Sequence, residues 1–181
     1  IKSLNSFSFD GLFKLIELDF TYNYIVYGDK FVFRHLNSIT GEFNQLKNQR
    51  LEKLTSFMFD GLYKVIELDI SGNMIREIEF EAFNGLFNIQ RLSLFENKLE
   101  FIEKESFKHL NSLKVLFLDE NKIRELKDLT FFYLKYLIQL SLMHNKIQFI
   151  SSKAFSGLFN LRTLRLDNNL IKSINKFILQ D

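Results

Sequence analysis

Few side chains in this sequence could take part in acid–base or metal chemistry. Two acidic pairs, Glu17 with Asp19 and Glu67 with Asp69, have the residue types of a general acid and base or of a cation site. Histidine occurs at positions 35, 109 and 144, and cysteine is absent. The i, i+2 spacing within each acidic pair is that of one face of a strand, so we interpret both pairs as a surface pattern.

The sequence lacks the motifs in which such residues become catalytic. It has no Gly-rich phosphate loop, no HExxH and no GxSxG element. The two acidic pairs would lie about 10 Å apart on a sheet, whereas Ca²⁺ needs its oxygens about 2.3–2.6 Å from one centre. We therefore predict no enzyme activity, no metal site and no cofactor. His109 stands where other repeats have glycine, which predicts a structural role.

Composition is that of a soluble globular protein. The 181 residues are 46% hydrophobic and 25% charged, with a formal net charge of +2, which excludes a wholly disordered chain. Lysine and arginine are scattered without a run of five, so we predict no nucleic-acid partner. The most apolar stretch, Leu129–Met143, is interrupted by Lys135 and Gln139 and is too short to span a bilayer. We predict no direct membrane insertion by this chain.

An internal repeat of 24 residues dominates the sequence. Asparagine recurs at this spacing at positions 73, 97, 121, 145 and 169, and Asn23 begins a partial match. Apolar residues recur at fixed offsets, which around Asn121 are Leu113, Leu116, Leu118, Ile123, Leu126, Phe131 and Leu134. Self-similarity at a fixed period of this length predicts a solenoid, in which stacked repeats bury a core that no repeat could bury alone.

Each repeated position has a physical role. The alternating leucines predict one half-buried strand per repeat, and the strands would pair as a parallel sheet. The asparagine amide can both donate and accept hydrogen bonds, so it can satisfy buried turn groups between repeats. A second inward column is predicted for the phenylalanines at 9, 33, 59, 83, 107, 131 and 155. The returning segments are expected to form short helices or 3₁₀ turns, with Lys127–Leu137 the best helical candidate.

The pattern LxxLxLxxNxLxxIxxxxFxxL resembles the leucine-rich repeat family, in its typical 24-residue subclass. The phrases AFNGL at 82–86 and AFSGL at 154–158 are similar to that subclass. The resemblance implies an α/β horseshoe-shaped solenoid, with a parallel sheet on its concave face and short helical, 3₁₀ or irregular convex segments. The repeat pattern is also similar to that of ectodomains of the Slit, Toll and connectin type. This implies a binding module outside the cell or at its surface.

We expect residues 1–181 to form a single array of about seven repeats, in which 27–50 are degenerate. Asn23 and Asn73 are 50 residues apart, two more than two clean repeats. One alignment puts Gln49 in the asparagine position and Asn44 and Gly41 in leucine positions. The other uses Asn48, which makes Phe43 a core residue but also moves Lys53 into the core. Extracellular members of the family usually have cysteine-rich caps, so the missing cysteines favour an uncapped fragment of a larger protein.

The residues between the strand leucines are predicted to face solvent, Asp119 and Ser141 among them. Phe95, Phe117 and Met143 would project from three consecutive strands about 4.8 Å apart and touch, with Val115 on the same face. Such an exposed aromatic and methionine cluster suits protein binding. Charge is also graded along this face. The predicted partner-binding charges are acidic at Glu17, Asp19, Glu67 and Asp69 and basic at Arg162 and Arg165.

The predicted function is recognition of a protein ligand by a rigid concave face, in a receptor, adhesion or matrix-type protein. Two alternatives stay open: an intracellular scaffold or enzyme-regulating adaptor, and a structural spacer without a ligand. An extracellular or cell-surface location is implied by the family resemblance. The absence of any N-x-[ST] glycosylation site keeps a cytoplasmic location as the alternative.

Overall fold

A stack of similar coils is the architecture of the chain. The computed structural model describes residues 1–20, 23–43 and 46–173. Within these ranges one 3₁₀ helix forms, Lys104–Phe107, and the strands are short. In chain order they are β1 (Ser3–Leu4), β2 (Tyr27–Gly28), β3 (Thr40–Phe43), β4 (Lys53–Leu54), β5 (Lys64–Asp69), β6 (Glu77–Ile78), β7 (Arg91–Ser93), β8 (Val115–Phe117), β9 (Glu125–Leu126), β10 (Gln139–Ser141), β11 (Phe149–Ile150) and β12 (Thr163–Arg165).

One parallel sheet runs along the described solenoid. Its six strands lie in the order β3, β5, β7, β8, β10, β12. From β5 onward each strand pairs with the residues 24 positions further along the chain, so that Leu68, Leu92, Leu116, Leu140 and Leu164 form one row. Smaller parallel pairs, β1 with β2, β4 with β6 and β9 with β11, form after the asparagine turn. The predicted leucine-rich-repeat solenoid is confirmed.

The phenylalanine column is also present as predicted. Rings from Phe9 to Phe155 stack one repeat above the next, with centroids 5.8–6.3 Å apart and planes within 18° of each other. The strand leucines are buried opposite these rings. Because each ring packs on its neighbours in sequence order, the core is continuous along the stack.

Buried asparagines join successive repeats through backbone hydrogen bonds. The Asn121 side-chain oxygen accepts the Leu99 amide at 3.0 Å, and its nitrogen donates to the Leu94 and Leu118 carbonyls at 2.9 and 3.1 Å. Asn73, Asn97, Asn145 and Asn169 repeat this arrangement. Each amide satisfies turn groups that would otherwise be buried without a partner, as the sequence predicted.

The degenerate repeat uses parts of both alignments left open by the sequence. Gln49 occupies the asparagine position, where its side-chain oxygen accepts the Ile25 amide at 3.1 Å. Phe43 is nevertheless buried and pairs with Leu68, because the pairing of β3 with β5 shifts between Gly41 and Glu42. This irregularity takes up one extra residue, and it gives Gly41 a positive φ of 74°. Asn44 lies outside the described residues.

Two secondary-structure predictions were wrong. Residues 127–137 form successive turns, because Leu129 has a φ of +60° and donates its amide to the Lys153 carbonyl of the next repeat. A left-handed residue with an inter-repeat bond cannot continue an α-helix. The strand expected around Leu18 does not form, although Leu15 and Leu18 still pack against the core.

Candidate binding face

The exposed side of the six-stranded sheet displays alternate residues of each strand. Strand pairing places Val115 beside Arg91 and Gln139, and Phe117 beside Ser93 and Ser141. Ser93 and Ser141 are small, so they leave the larger Phe117 ring standing between them. The face is built by backbone hydrogen bonds between neighbouring repeats, so its side chains are held in a fixed order.

We call Phe95, Val115, Phe117 and Met143 the apolar patch. Phe95 is 36% exposed, and the other three are half-buried. The sequence predicted four exposed side chains in one cluster, and the structure gives one exposed ring with three partly covered neighbours. Phe95 and Met143 lie two residues beyond the positions paired with Phe117, so they are its diagonal neighbours on the flanking strands. Diagonal neighbours lie about 7–8 Å apart, which is within reach of aromatic side chains.

Asp119 interrupts the row between Phe95 and Met143. The sequence placed Asp119 and Ser141 in solvent, and this was wrong, since they are 4% and 1% exposed. The Asp119 carboxylate turns onto the next repeat, where it accepts the Ser141 hydroxyl and the Met143 amide, the latter at 2.8 Å. The carboxylate thereby fixes the end of the strand that presents Met143. The strand alternation gave no signal of this inward turn.

The Arg91 guanidinium lies against the apolar patch, and the sequence analysis did not predict this contact. The Arg91 guanidinium carbon is 5.7 Å from the centroid of the Phe117 ring. Its Nε is also 3.5 Å from a Glu67 carboxylate oxygen. The register that pairs Arg91 with Val115 and Glu67 was the available signal. A cation over an aromatic face is attracted by the ring quadrupole, so Arg91 partly covers Phe117.

The charges at the acidic end of the face are partly neutralised. Glu67 contacts Arg91, and Asp69 forms an ion pair with Lys47 at 2.9 Å. Burial raises the pKa of Asp69, but the Ser71 hydrogen bonds and the Lys47 ammonium outweigh it, and the pKa lies below its usual value. The Asp69 carboxylate therefore stays ionised, and its charge is partly neutralised by the Lys47 ammonium.

The remaining predicted charges lie at the two ends of the described face. Glu17 and Asp19 are exposed in the segment that forms no strand, and Glu17 lines a shallow depression with Thr40 and Glu42. At the other end Arg162 and Arg165 are exposed, and Arg165 contacts Asp167 at 3.3 Å. The structure thus keeps the predicted order of acidic and basic residues but does not bring the two groups together.

The histidines do not meet on this face. His109 Nε2 lies 2.6 Å from a Glu81 carboxylate oxygen, in the repeat position held elsewhere by Gly61 and Gly85, which agrees with the expected structural role. His144 contacts the Asn168 side chain at 3.2 Å. In the part of the chain that the structure describes, no group of three or more acidic or histidine residues could hold a metal ion, and no helix could span a membrane.

Comparison with known proteins gives the family. The family model described as leucine rich repeat matches residues 45–99, 87–129 and 112–171. These matches extend over more than half of the chain, and together with the asparagine ladder and the parallel sheet they show that the chain belongs to the leucine-rich repeat family. No curated protein matches the sequence.

Several solved structures share the fold. TLR13, in its complex with the single-stranded RNA ssRNA13, is 29% identical with a TM-score of 0.84, over 99% of this chain and 25% of that chain. A leucine-rich-repeat protein of Leptospira interrogans is 27% identical with a TM-score of 0.71, over 89% and 39%. Toll of Drosophila, bound to Spatzle, is 20% identical with a TM-score of 0.74, over 93% and 26%. The Toll likeness shows the fold alone.

This chain spans about a quarter to two fifths of the length of those structures. Leucine-rich repeat chains of this kind are binding modules, and this assigns the chain to a general class of ligand-binding solenoids. The sequence-based exclusion of a nucleic-acid partner is not supported, since TLR13 was solved with RNA.

Proposed function

We propose that this chain is the ligand-binding segment of a receptor-type protein and that the apolar patch contacts a protein ligand. The observation that carries the proposal is a set of aromatic, valine and methionine side chains presented by β8 and by the segments that directly follow its neighbours β7 and β10. Aromatic residues and methionine are enriched in the buried centres of protein interfaces. An exposed Phe95 beside the half-buried Phe117 supplies such a centre.

Rigidity supports recognition by this face. The asparagine ladder and the Asp119 carboxylate hold the strand ends before any ligand is present. Preformed binding surfaces lose little conformational entropy on association, so more of the contact free energy remains as affinity. The backbone of the patch is therefore already in place before a ligand binds.

The charged ends of the face would set the orientation of the ligand. Acidic Glu17 and Asp19 lie towards one end, and basic Arg162 and Arg165 towards the other. A ligand of opposite charge order would associate faster, and salt would reduce this advantage. The ion pairs at Glu67 and Asp69 reduce the net charge of β5, so we assign the orienting role mainly to the outer pairs, Glu17 with Asp19 and Arg162 with Arg165.

The wider role that we propose is a receptor, adhesion or matrix-type ectodomain, placed outside the cell or on its surface. The chain would act by binding and not by catalysis. Support comes from the likeness to TLR13, and from a fold shared with Toll in its complex with Spatzle. An intracellular scaffold would present the same face to a cytosolic protein.

A second candidate ligand is single-stranded RNA. The likeness to TLR13 in its RNA complex, at 29% identity over 99% of this chain, favours it. The exposed Arg162 and Arg165 are the residues of the face best suited to phosphate, because guanidinium groups bind phosphate oxygens in pairs. RNA binding would depend on these arginines and not on Phe95.

A display experiment separates these candidates. A library of secreted and cell-surface protein domains is selected on the immobilised wild-type chain, and each recovered domain is tested on Phe95→Ser with Phe117→Ser. We expect selected ligands to bind this double variant at least about tenfold more weakly, which is about 1.4 kcal/mol. Phe159→Ser is the matched control, because Phe159 is 73% exposed but lies off the sheet.

Three outcomes decide the proposal. Loss of binding in the patch variant and not in Phe159→Ser supports the patch. Equal binding by both variants overturns it. Saturable binding of a fluorescent single-stranded RNA, lost in Arg162→Gln with Arg165→Gln and kept in the patch variant, replaces the protein ligand with RNA.

A further inference from the structure

A groove lies on the side of the solenoid, away from the six-stranded sheet. It has a volume of about 550 Å³ and lies beside β6 and the 3₁₀ helix. It is lined by Ser56, Glu77, Ile78, Glu79, Phe80, Phe101, Glu103, Glu105 and Ser106. A water molecule occupies roughly 30 Å³, so the groove admits whole side chains of a partner. We call it the lateral groove.

The apolar part of the lateral groove is aromatic. Phe80 and Phe101 are 52% and 48% exposed, and the half-buried Ile78 lies in the adjacent strand β6. Phe80 already binds a cation of its own chain, because the Lys108 ammonium lies 4.9 Å from the ring centroid. No cation of the described residues lies over Phe101. One ring of the groove is therefore open to a cation from outside.

Carboxylates supply all the charge of the lining. Lys53 neutralises part of it, with its ammonium 3.0 Å from Glu77 and 2.9 Å from Glu79. Lys127 lies 3.5 Å from Glu103. Among the described residues Glu105 has no ion-pair partner. With the Lys108 ammonium over Phe80 included, three ammonium groups lie against four carboxylates, so the groove keeps an excess of one negative charge.

Ser106 adds a hydroxyl group to the lining of the groove. Ser106 is 7% exposed, and it lines the cavity. Its backbone amide bonds to the Glu103 carbonyl at 3.0 Å, but its hydroxyl makes no hydrogen bond to any residue in the described ranges. By contrast, the Ser56 hydroxyl bonds to Glu79 and to the Phe80 carbonyl. The Ser106 hydroxyl oxygen is not closed off from the groove, because it is not one of the fully buried polar side-chain atoms that lack a partner. It is therefore available to a ligand.

We propose that the lateral groove binds an arginine- or lysine-bearing segment of a partner polypeptide, separately from the ligand of the sheet. The cationic group would lie over Phe101 and near Glu105, and its aliphatic stem would pack along Ile78. Ser106 would bond to a polar group of the bound segment. Charge complementarity selects this occupant, since an acidic or purely apolar segment would meet the uncompensated carboxylates.

A fluorescent peptide tests the groove directly. The probe is the capped peptide Gly-Arg-Leu-Arg-Gly, titrated with the wild-type chain by fluorescence anisotropy. The comparison peptide has citrulline for arginine, which keeps the shape and removes the charge. We expect saturable binding of the arginine peptide and binding at least about tenfold weaker of the citrulline peptide, because the cation contacts both ring and carboxylate.

Variants of the chain locate the binding. Phe101→Ala and Glu105→Gln should each weaken the arginine peptide about threefold or more, and Ser106→Ala should weaken it further when combined with either. Lys127→Gln should strengthen it, because Glu103 loses its competing ammonium. Phe159→Ala and Glu17→Gln are matched controls that remove the same groups at exposed positions away from the groove and should change nothing. Circular dichroism verifies that each variant is folded.

The proposal is overturned by any of three results. These are no saturable binding of the arginine peptide, equal binding of the citrulline peptide, or equal losses in the two control variants. The last result would mean non-specific attraction to an acidic surface. Since none of these variants touches the apolar patch, the outcome is independent of the proposed ligand of the sheet.

Discussion

Single buried amides hold the solenoid together at the residue scale. Asn121 serves four backbone groups of two successive repeats, those of Leu94 and Leu99 in one and of Leu118 and Asp119 in the other. Gln49 can stand in this position because its amide has the same donor and acceptor. The chemistry of the side chain, and not its length, therefore defines the position. The sequence predicted this role from the 24-residue spacing together with the donor and acceptor of the amide.

Removing one such amide should expose the cost of unpaired backbone groups. We expect Asn121→Ala to lower the free energy of unfolding by at least about 1–3 kcal/mol, since buried partners lose their bonds. Asn111→Ala, at an exposed position, should change it by less than about 0.5 kcal/mol. Urea denaturation of both variants measures the difference. Equal effects would show that the ladder does not stabilise the fold.

The ion pair of Lys53 with Glu79 should give stability a dependence on pH. The Lys53 hydrogen bond, then the Ser56 amide, lower the pKa of Glu79 to about 2. Because this pKa is lower in the folded chain than its usual value of about 4.3, the contribution is complete above about pH 4.3 and is lost as pH falls towards 2.

We therefore expect Lys53→Gln to be less stable than the wild type at pH 7, and the difference to shrink as pH falls below about 4.3. Urea denaturation at pH 7, 4 and 3 measures it. Lys127→Gln removes a longer pair, 3.5 Å from the exposed Glu103, and serves as the control. A difference that stays constant down to pH 3 would contradict the role of Glu79.

Inter-repeat bonds decide the conformation of whole elements. The apolar spacing at 127–137 suits a helix, yet Leu129 adopts a positive φ and donates to Lys153. In the repeat that forms the 3₁₀ helix, the equivalent Glu105 has no positive φ. Local periodicity could not distinguish the two cases, because the deciding hydrogen bond comes from the following repeat. The same applies to β3, where the shift in its pairing with β5 places Phe43 beside Leu68 in the core.

Substitutions on the two sides of the six-stranded sheet should differ in their effect on the free energy of unfolding. Leu116→Ala removes a fully buried side chain of β8 and should cost about 2–5 kcal/mol. The triple change Phe95→Ser, Phe117→Ser and Met143→Ser should cost less than this, although not nothing, because Phe117 and Met143 are half-buried. Thermal and urea unfolding compare the two. If the triple variant is the less stable, the apolar patch belongs to the core and not to a binding face.

The whole molecule is a one-dimensional stack in which each repeat contacts its neighbours. The ring column passes through every described repeat from Phe9 to Phe155 without a break. The free energy of unfolding of such a stack is approximately the sum of the stabilities of the single repeats and of the interfaces between neighbouring repeats. A defect in the middle should therefore act on both sides, whereas a defect near one end should act on one.

Phe107→Ala tests this at the centre of the column. We expect it to cost about 3–5 kcal/mol and to speed amide hydrogen exchange first in the repeats that contain Phe83 and Phe131, its stacking partners. Phe155→Ala should affect mainly the repeat of Phe131. Uniform acceleration across the chain in both variants would indicate global unfolding and not a chain of neighbours.

The sequence by itself determined the solenoid, the asparagine ladder and the phenylalanine column, because these follow from residues repeated at a fixed spacing. It also ordered the residues of the face, because strand alternation is a local property. Only the tertiary structure decided that Asp119 and Ser141 are buried and that Arg91 partly covers Phe117. It also decided that Gln49 takes the asparagine position while Phe43 is a core residue. The lateral groove could not be predicted from the sequence either, since it is lined by side chains of different repeats. These features depend on contacts between repeats, and a pattern within one repeat carries no information about them.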